Sequence, residues 1–207
     1  MAWAPDYVTL DEAREYRGIS DVADDAQLSI AITAASRAID RTANRQFGLV
    51  ASVEDRFYTA VWHRRRGVFL VEIDDLMTET GFVLAYDSDE DLSFGTTAVS
   101  GDWRLLPTNA AAKGEPWTQI EIRHDASAQP PPTEGAVKVT ARWGWTTVPT
   151  DIEQACLIQV GRLFERRQSP FGIAGSPEAG SELRLLERLD PDVGVIVKNK
   201  RRHWGAR

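Results

Sequence analysis

The sequence predicts an α+β protein: a small helical core of about four helices, interrupted by an antiparallel β-sheet or β-sandwich-like insertion. Three observations carry this. Apolar residues recur at helical spacing before residue 50 and again after residue 148. Between them the period shortens to two, with glycines punctuating a series of short runs. Finally, Trp143-Gly-Trp145 joins the last alternating run to an amphipathic helix. The boundaries expected are 1–50 for the N-terminal helices, 51–147 for the insertion, and 148–207 for the closing helices with a basic tail.

Thr9-Leu-Asp-Glu12 has the form of a capping box and opens a short helix to about Tyr16, which Gly18 ends. Asp21 or Asp24 then caps a longer helix running to about Gln46. Leu28, Ile32, Ala35, Ile39 and Ala43 form its inward stripe, thickened by Ala31 and Ala38. Arg37, Asp40, Arg41 and Asn44 fall on the opposite face, and Gly48 punctuates the end. So many alanines allow a close approach to a neighbour.

Strands are expected at 56–62, 68–73, 81–86, 103–106, 117–123 and 136–143. Thr118, Ile120 and Ile122 point one way, against Gln119, Glu121 and Arg123. Val137, Val139, Ala141 and Trp143 share a face in the last strand. Gln129-Pro-Pro-Pro-Thr-Glu-Gly135 is a stiff loop that no sheet interior can hold. Pro149 suits the first turn of a helix carrying Ile152, Ala155, Cys156, Val160, Leu163 and Phe164, and Arg166 and Arg167 favour its C-terminus. A flexible loop over 169–177 follows. The last helix is expected over 178–189, stopped by Asp190-Pro191, and Val193, Val195 and Val197 alternate before the tail.

Composition narrows the function. At 43% hydrophobic and 27% charged, 207 residues can bury a proper core. A net charge of −7 repels a nucleic-acid backbone unless a local patch overrides it. The single cysteine, Cys156, excludes an internal disulfide and a multi-cysteine zinc site, and its place on an apolar helix face marks an inert core thiol. No signal-peptide pattern opens the chain and no apolar run reaches membrane-spanning length, so folding in a reducing cytoplasm without a lipid anchor is expected.

Chemistry-bearing patterns are scarce. His63, His124 and His203 are scattered, and the nucleophile elbow, phosphate loop and dinucleotide turn are all missing. Asp74-Asp75 is poor support for acid–base catalysis in an acidic chain. Asp87-Ser-Asp-Glu-Asp91 starts like a calcium loop, but Leu92 and Ala98 stand where glycine and glutamate belong, so a solvated hairpin loop fits better. Neither a catalytic residue nor a metal or cofactor is expected. His63-Arg64-Arg65-Arg66-Gly67 reads as an exposed basic turn, which could instead touch phosphate. Lys198, Lys200, Arg201 and Arg202 with Trp204 form a basic tail with an aromatic anchor, suited to an acidic partner's groove or else a solvated terminus. Seven tryptophans leave a carbohydrate-binding or other tail-associated β module as the alternative function, with core packing the plainer account of them.

The order of elements carries a resemblance. A short helix with Val8-Thr-Leu-Asp-Glu-Ala-Arg14 precedes an Asp-Asp-Ala start to an alanine-rich helix ending near Thr42-Ala-Asn-Arg-Gln-Phe47. A β insertion, Trp-Gly-Trp, Val148-Pro149 and a helix ending Phe164-Glu-Arg-Arg167 follow. This set resembles the head-to-tail connector, or head-completion adaptor, proteins of tailed bacteriophages, in the long form with a β insertion. Trp-Gly-Trp departs from the tyrosine-containing turn expected there while keeping the aromatic-glycine-aromatic pattern. The resemblance implies a non-catalytic virion protein of the neck, made in the bacterial host cytoplasm. It implies a homo-oligomeric ring on the order of a dozen copies. The ring docks on the portal above, meets a stopper or tail terminator below, and passes genomic DNA without sequence-specific binding or any membrane contact. On this reading Lys198, Lys200, Arg201, Arg202 and Trp204 reach the portal. Ala31, Ala35, Ala38, Arg162 and Arg166 belong to core helices that abut neighbouring subunits.

Overall fold

The computed structural model describes residues 5–166, 173–174, 183–184 and 189–202. The chain is an α+β protein; the described residues form four α-helices, two four-stranded antiparallel sheets and a two-stranded ribbon, and the chain divides into two compact units. One comprises residues 1–47 and 148–207, the other residues 48–147.

In the helical unit, α1 (Leu10–Arg17) starts at the capping box read from the sequence. Thr9 Oγ1 accepts from Glu12 N at 3.3 Å, while Thr9 N donates to the Glu12 carboxylate at 2.7 Å. These bonds hold the Glu12 carboxyl below its ordinary range. Helix α2 (Asp25–Ala43) has Asp24 at its N-cap, and the whole stripe Leu28, Ile32, Ala35, Ile39 and Ala43 is buried. It ends earlier than expected: Asn44 takes the left-handed conformation (φ 53°) that Gly48 was expected to supply. A side-chain amide tolerates that region better than other non-glycine residues.

Helix α3 (Thr150–Arg166) begins directly after Pro149, whose carbonyl accepts from Glu153 N at 3.1 Å. Ile152, Ala155, Cys156, Val160 and Phe164 are buried along it. Helix α4 (Pro191–Asn199) corrects two expectations. Asp190-Pro191 starts a helix rather than stopping one, with Asp190 accepting from Asp192 N at 3.0 Å and Pro191 in the first turn. Val193 and Val197, four residues apart, are buried while Val195 is exposed, so the valine alternation is a helical stripe and not a strand. The helix expected over 178–189 fails at Leu183–Arg184, a two-residue strand paired antiparallel with Ile173–Ala174. The rest of that helix, and most of the 169–177 loop, lies outside the described residues.

In the other unit, β1 (Glu54–Tyr58) and β2 (Ala60–His63) were read as one strand. They belong to different sheets, and the chain crosses over at Thr59, whose hydroxyl accepts from Gly135 N at 3.0 Å. Next come β3 (Val68–Leu76), β4 (Val83–Tyr86), the short β5 (Thr96–Thr97), β6 (Trp103–Leu106), β7 (Trp117–Arg123) and β8 (Val137–Ala141). One sheet has the order β1-β8-β4-β5 and the other β2-β3-β7-β6, all antiparallel. Leu84, Tyr86, Val137 and Val139 are buried from the first sheet, and Val71, Ile73, Ile120 and Ile122 from the second. A final two-stranded ribbon in the helical unit is β9 (Ile173–Ala174) with β10 (Leu183–Arg184).

Candidate functional site

Trp143-Gly-Trp145 closes the β unit on itself. Trp143 is buried, donates from Nε1 to Glu54 O at 3.0 Å and carries the Arg56 guanidinium 4.9 Å above its ring. Val50 N donates to Trp143 O at 2.9 Å and Trp145 N to Gly48 O at 2.8 Å, tying the start of the unit to its end. Gly144, at φ 106°, turns its N–H onto Asp75 O at 2.8 Å, a backbone region that L side chains rarely adopt. Trp145 Nε1 donates to the Asp75 carboxylate at 2.8 Å, both residues being buried.

The pair Asp74-Asp75 is therefore used structurally, its two carboxylates on opposite sides of β3. Asp74 accepts from Arg56 at 2.8 Å and from the Tyr58 hydroxyl at 2.9 Å. Burial, and then the Asp74 charge, push the Tyr58 phenol well above its ordinary value. These two tryptophans form no open sugar platform. Among the described tryptophans, Trp62 is the most exposed, at 44%, with its ring 4.9 Å from Phe69.

The basic turn divides its work. Arg64, Arg65 and Arg66 sit exposed between β2 and β3. Arg66 reaches the Glu121 carboxylate at 2.7 Å, and Arg104, opposite Glu121 on β6, pairs with its other oxygen. Two guanidinium groups are what allow Glu121 to be buried on the strand face it shares with Gln119 and Arg123. The periodicity set Glu121 on the face opposite Ile120 and Ile122, but its burial depends on a cross-strand register that spacing does not reveal. Arg64 and Arg65 have no carboxylate partner among the described residues.

In the helical unit, Ala31 and Ala35 are buried and Ala38 is half-buried. Ala31 lines an apolar groove of about 280 Å3 with Gln27, Ile30, Ala34, Leu163 and Phe164. Arg162 pairs with Asp190 at 3.5 Å, linking α3 to the cap of α4, and Arg166 is half-buried in the last turn of α3. Cys156 is buried with its sulfur 3.6 Å from the Ser36 hydroxyl, and burial pushes the thiol up to about 11. The polar side of α2 is not simply solvated. The Tyr7 hydroxyl donates to Asp40 and accepts from Phe47 N at 3.0 Å, and Arg37 pairs with Asp40 at 2.9 Å. Burial raises the Asp40 carboxyl above its ordinary value.

Of the basic tail, Lys198 and Arg201 are exposed and Lys200 is half-buried. Arg202 is only 7% exposed, and its N–H donates to Ala43 O at 2.8 Å at the end of α2. This tether is built from backbone atoms, so composition gave no sign of it. Trp204 lies outside the described residues. No group of histidine, cysteine and carboxylate side chains that could hold a metal occurs among the described residues, where no helix is long and apolar enough to cross a membrane. The Asp87 carboxylate accepts instead from Asp91 N at 3.1 Å and Leu92 N at 3.0 Å, closing its own loop.

No protein-family model and no characterised protein sequence matches the chain. Among solved structures, it is similar to a chain in the neck of an empty gene transfer agent (GTA) particle computed with C6 symmetry. That match has a TM-score of 0.57 at 21% identity and covers 100% of this chain and 97% of the other. It is also similar to a chain in the virion of a native GTA particle, with a TM-score of 0.55 at 22% identity, covering 97% of this chain and 93% of that one. At such identities the likeness is one of fold, and it extends over both units.

Proposed function

We propose that this chain is a structural, non-catalytic connector of a tailed-phage-like particle, forming a ring in the neck between the portal vertex and the tail. The observation that carries the reading is a fold match over the full chain to a chain in a GTA particle neck. The sixfold symmetry of that neck accommodates a closed ring on the order of a dozen copies, since a twelvefold ring contains a sixfold axis. The helical unit serves as the connector core, and residues 51–147 are the insertion specific to the long form. The ring sits against the portal on one side and a stopper or tail terminator on the other. An acidic chain, at net −7, lets DNA pass through the channel without gripping it.

The C-terminal segment reaches the portal through Lys198, Lys200, Arg201 and Trp204, while Arg202 anchors it to the end of α2. A truncation after Val197 would remove that anchor as well as the tail. Truncation after Arg202 is the cleaner test of docking by Trp204. Quantitative mass spectrometry of purified, DNA-filled particles decides the wider reading. About one copy per portal subunit is expected. A handful of copies, hundreds of copies, or absence of the chain would overturn it.

A further inference from the structure

The outer face of the β1-β8-β4-β5 sheet is only partly covered: Ala85 is buried, while Phe57 and Val83 are exposed. Its pleat turns Val137, Val139 and Ala141 inward and Lys138 and Thr140 outward. The register sets Phe57 and Ala85 beside Lys138, and Asp55 and Val83 beside Thr140. From the 87–95 loop, the Phe94 ring lies 5.1 Å from that of Phe57 and 5.5 Å from Lys138 Nζ, covering only part of this face. Phe57 and Val83 stay exposed at 56% and 42%, and Leu92, two residues before Phe94, at 81%. Asp89, Glu90 and Asp91 stand exposed in the same loop with no cationic partner among the described residues.

The same unit carries the complement. Arg64 and Arg65 are exposed cations without a carboxylate partner among the described residues, beside the half-exposed Trp62 on β2, an edge strand of the other sheet. One chain thus displays an apolar face with an acidic rim and, on a different sheet, a basic turn with an aromatic anchor. Copies at net −7 repel one another on average, so their association needs a local contact of opposite charge. Arginine and tryptophan are the residue types that most often dominate such contacts. A head-to-tail ring requires two different, mutually complementary surfaces on every subunit.

We infer that the acidic-rimmed face of Phe57, Val83 and Leu92 receives the Arg64–Arg65 turn and Trp62 of the next copy of this chain, making a heterologous contact of the ring. This inference rests on the ring reading above. The occupant is a second copy because the two charge patterns match each other within one sequence.

The test uses the full chain with D89K/E90K, with R64E/R65E, and with all four substitutions together. Circular dichroism checks the fold of each, and native mass spectrometry at low salt follows assembly. Either pair alone raises the concentration for half-assembly about tenfold or more, as like charges now face each other. Mixing the two double variants restores assembly, because each swapped surface meets its swapped complement and each intact surface its intact complement, giving rings in which the two variants alternate. The fourfold variant regains rings. If the wild type forms rings and both double variants do so equally well, the contact lies elsewhere and the ring reading survives. If the wild type and the mixture both stay monomeric, the contact is overturned, and copy number in particles separately decides the ring.

Discussion

Cys156 offers a quantitative test of the helical unit's packing. Its thiol is buried and pushed from the ordinary 9.0 to about 11, chiefly by burial, with the Ser36 hydroxyl opposing. Well below pH 9 the thiol is protonated in both native and unfolded chains and contributes no pH dependence. Above that, the unfolded chain loses the proton first, so stability falls as pH climbs from 9 toward 11. At pH 10 about nine-tenths of unfolded thiols are ionised against about one-tenth of native ones, and integrating the difference gives about 1.4 kcal/mol.

Cys156→Ala removes this term. It also costs about 1 kcal/mol of lost packing at every pH, which does not affect the slope. Tyr7, Tyr58 and Tyr86, all raised by burial, act in the same direction in both proteins and cancel from the comparison. The assay is urea unfolding at pH 7 and pH 10 with a phosphine reductant, followed by ellipticity at 222 nm, which reports chiefly the helical unit. Fluorescence chiefly reports the β unit, where Trp62, Trp103, Trp117, Trp143 and Trp145 all lie. Wild type should lose about 1.4 kcal/mol more than Cys156→Ala between the two pH values. Equal losses would refute the argument that this thiol titrates from a dry, packed site.

Three further outcomes follow from the contacts. Trp145→Phe keeps the ring in the core but withdraws the indole donor from the buried Asp75 carboxylate; a loss of about 2 kcal/mol is expected in the tryptophan-monitored urea midpoint. Asp190→Ala removes the α4 cap and the partner of Arg162, which should cost about 1 kcal/mol and speed amide exchange over 193–199. Gly81→Ala puts a side chain at φ 73° with its Cβ 2.6 Å from Val53 Cγ1; the thermal midpoint should fall by several degrees, about 1–2 kcal/mol.

Where one local signal sufficed, the sequence was legible. The capping box at Thr9, the five-residue stripe of α2, the start of α3 after Pro149, and the bounds of β6 and β7 all follow from periodicity and cap chemistry. Residues that carry two opposing signals were misread. Asp190-Pro191 can end one helix or begin another, and it begins α4 because Val193 and Val197 have a buried face to fill. The 56–62 run reads as one alternating strand, and only the pairing partners, β8 for β1 and β3 for β2, divide it. For the candidate site residues, spacing predicted the exposure of Arg64 and Arg65. It could not foresee that Arg66 would be claimed by Glu121, or that Arg202 would pack against the end of α2.

The sequence by itself determined the α+β class, the positions of most elements and the inert setting of Cys156, because each rests on interactions among residues close along the chain or on simple apolar burial. Tertiary structure decided the division of one strand between two sheets, the burial of Glu121 under two arginines, and the Trp143-Gly144-Trp145 latch onto residues 48–54 and Asp75. Each of these joins groups tens of residues apart. A buried charge or indole N–H is tolerable only when a distant partner arrives in register to meet it, and spacing along the chain carries no information about that meeting.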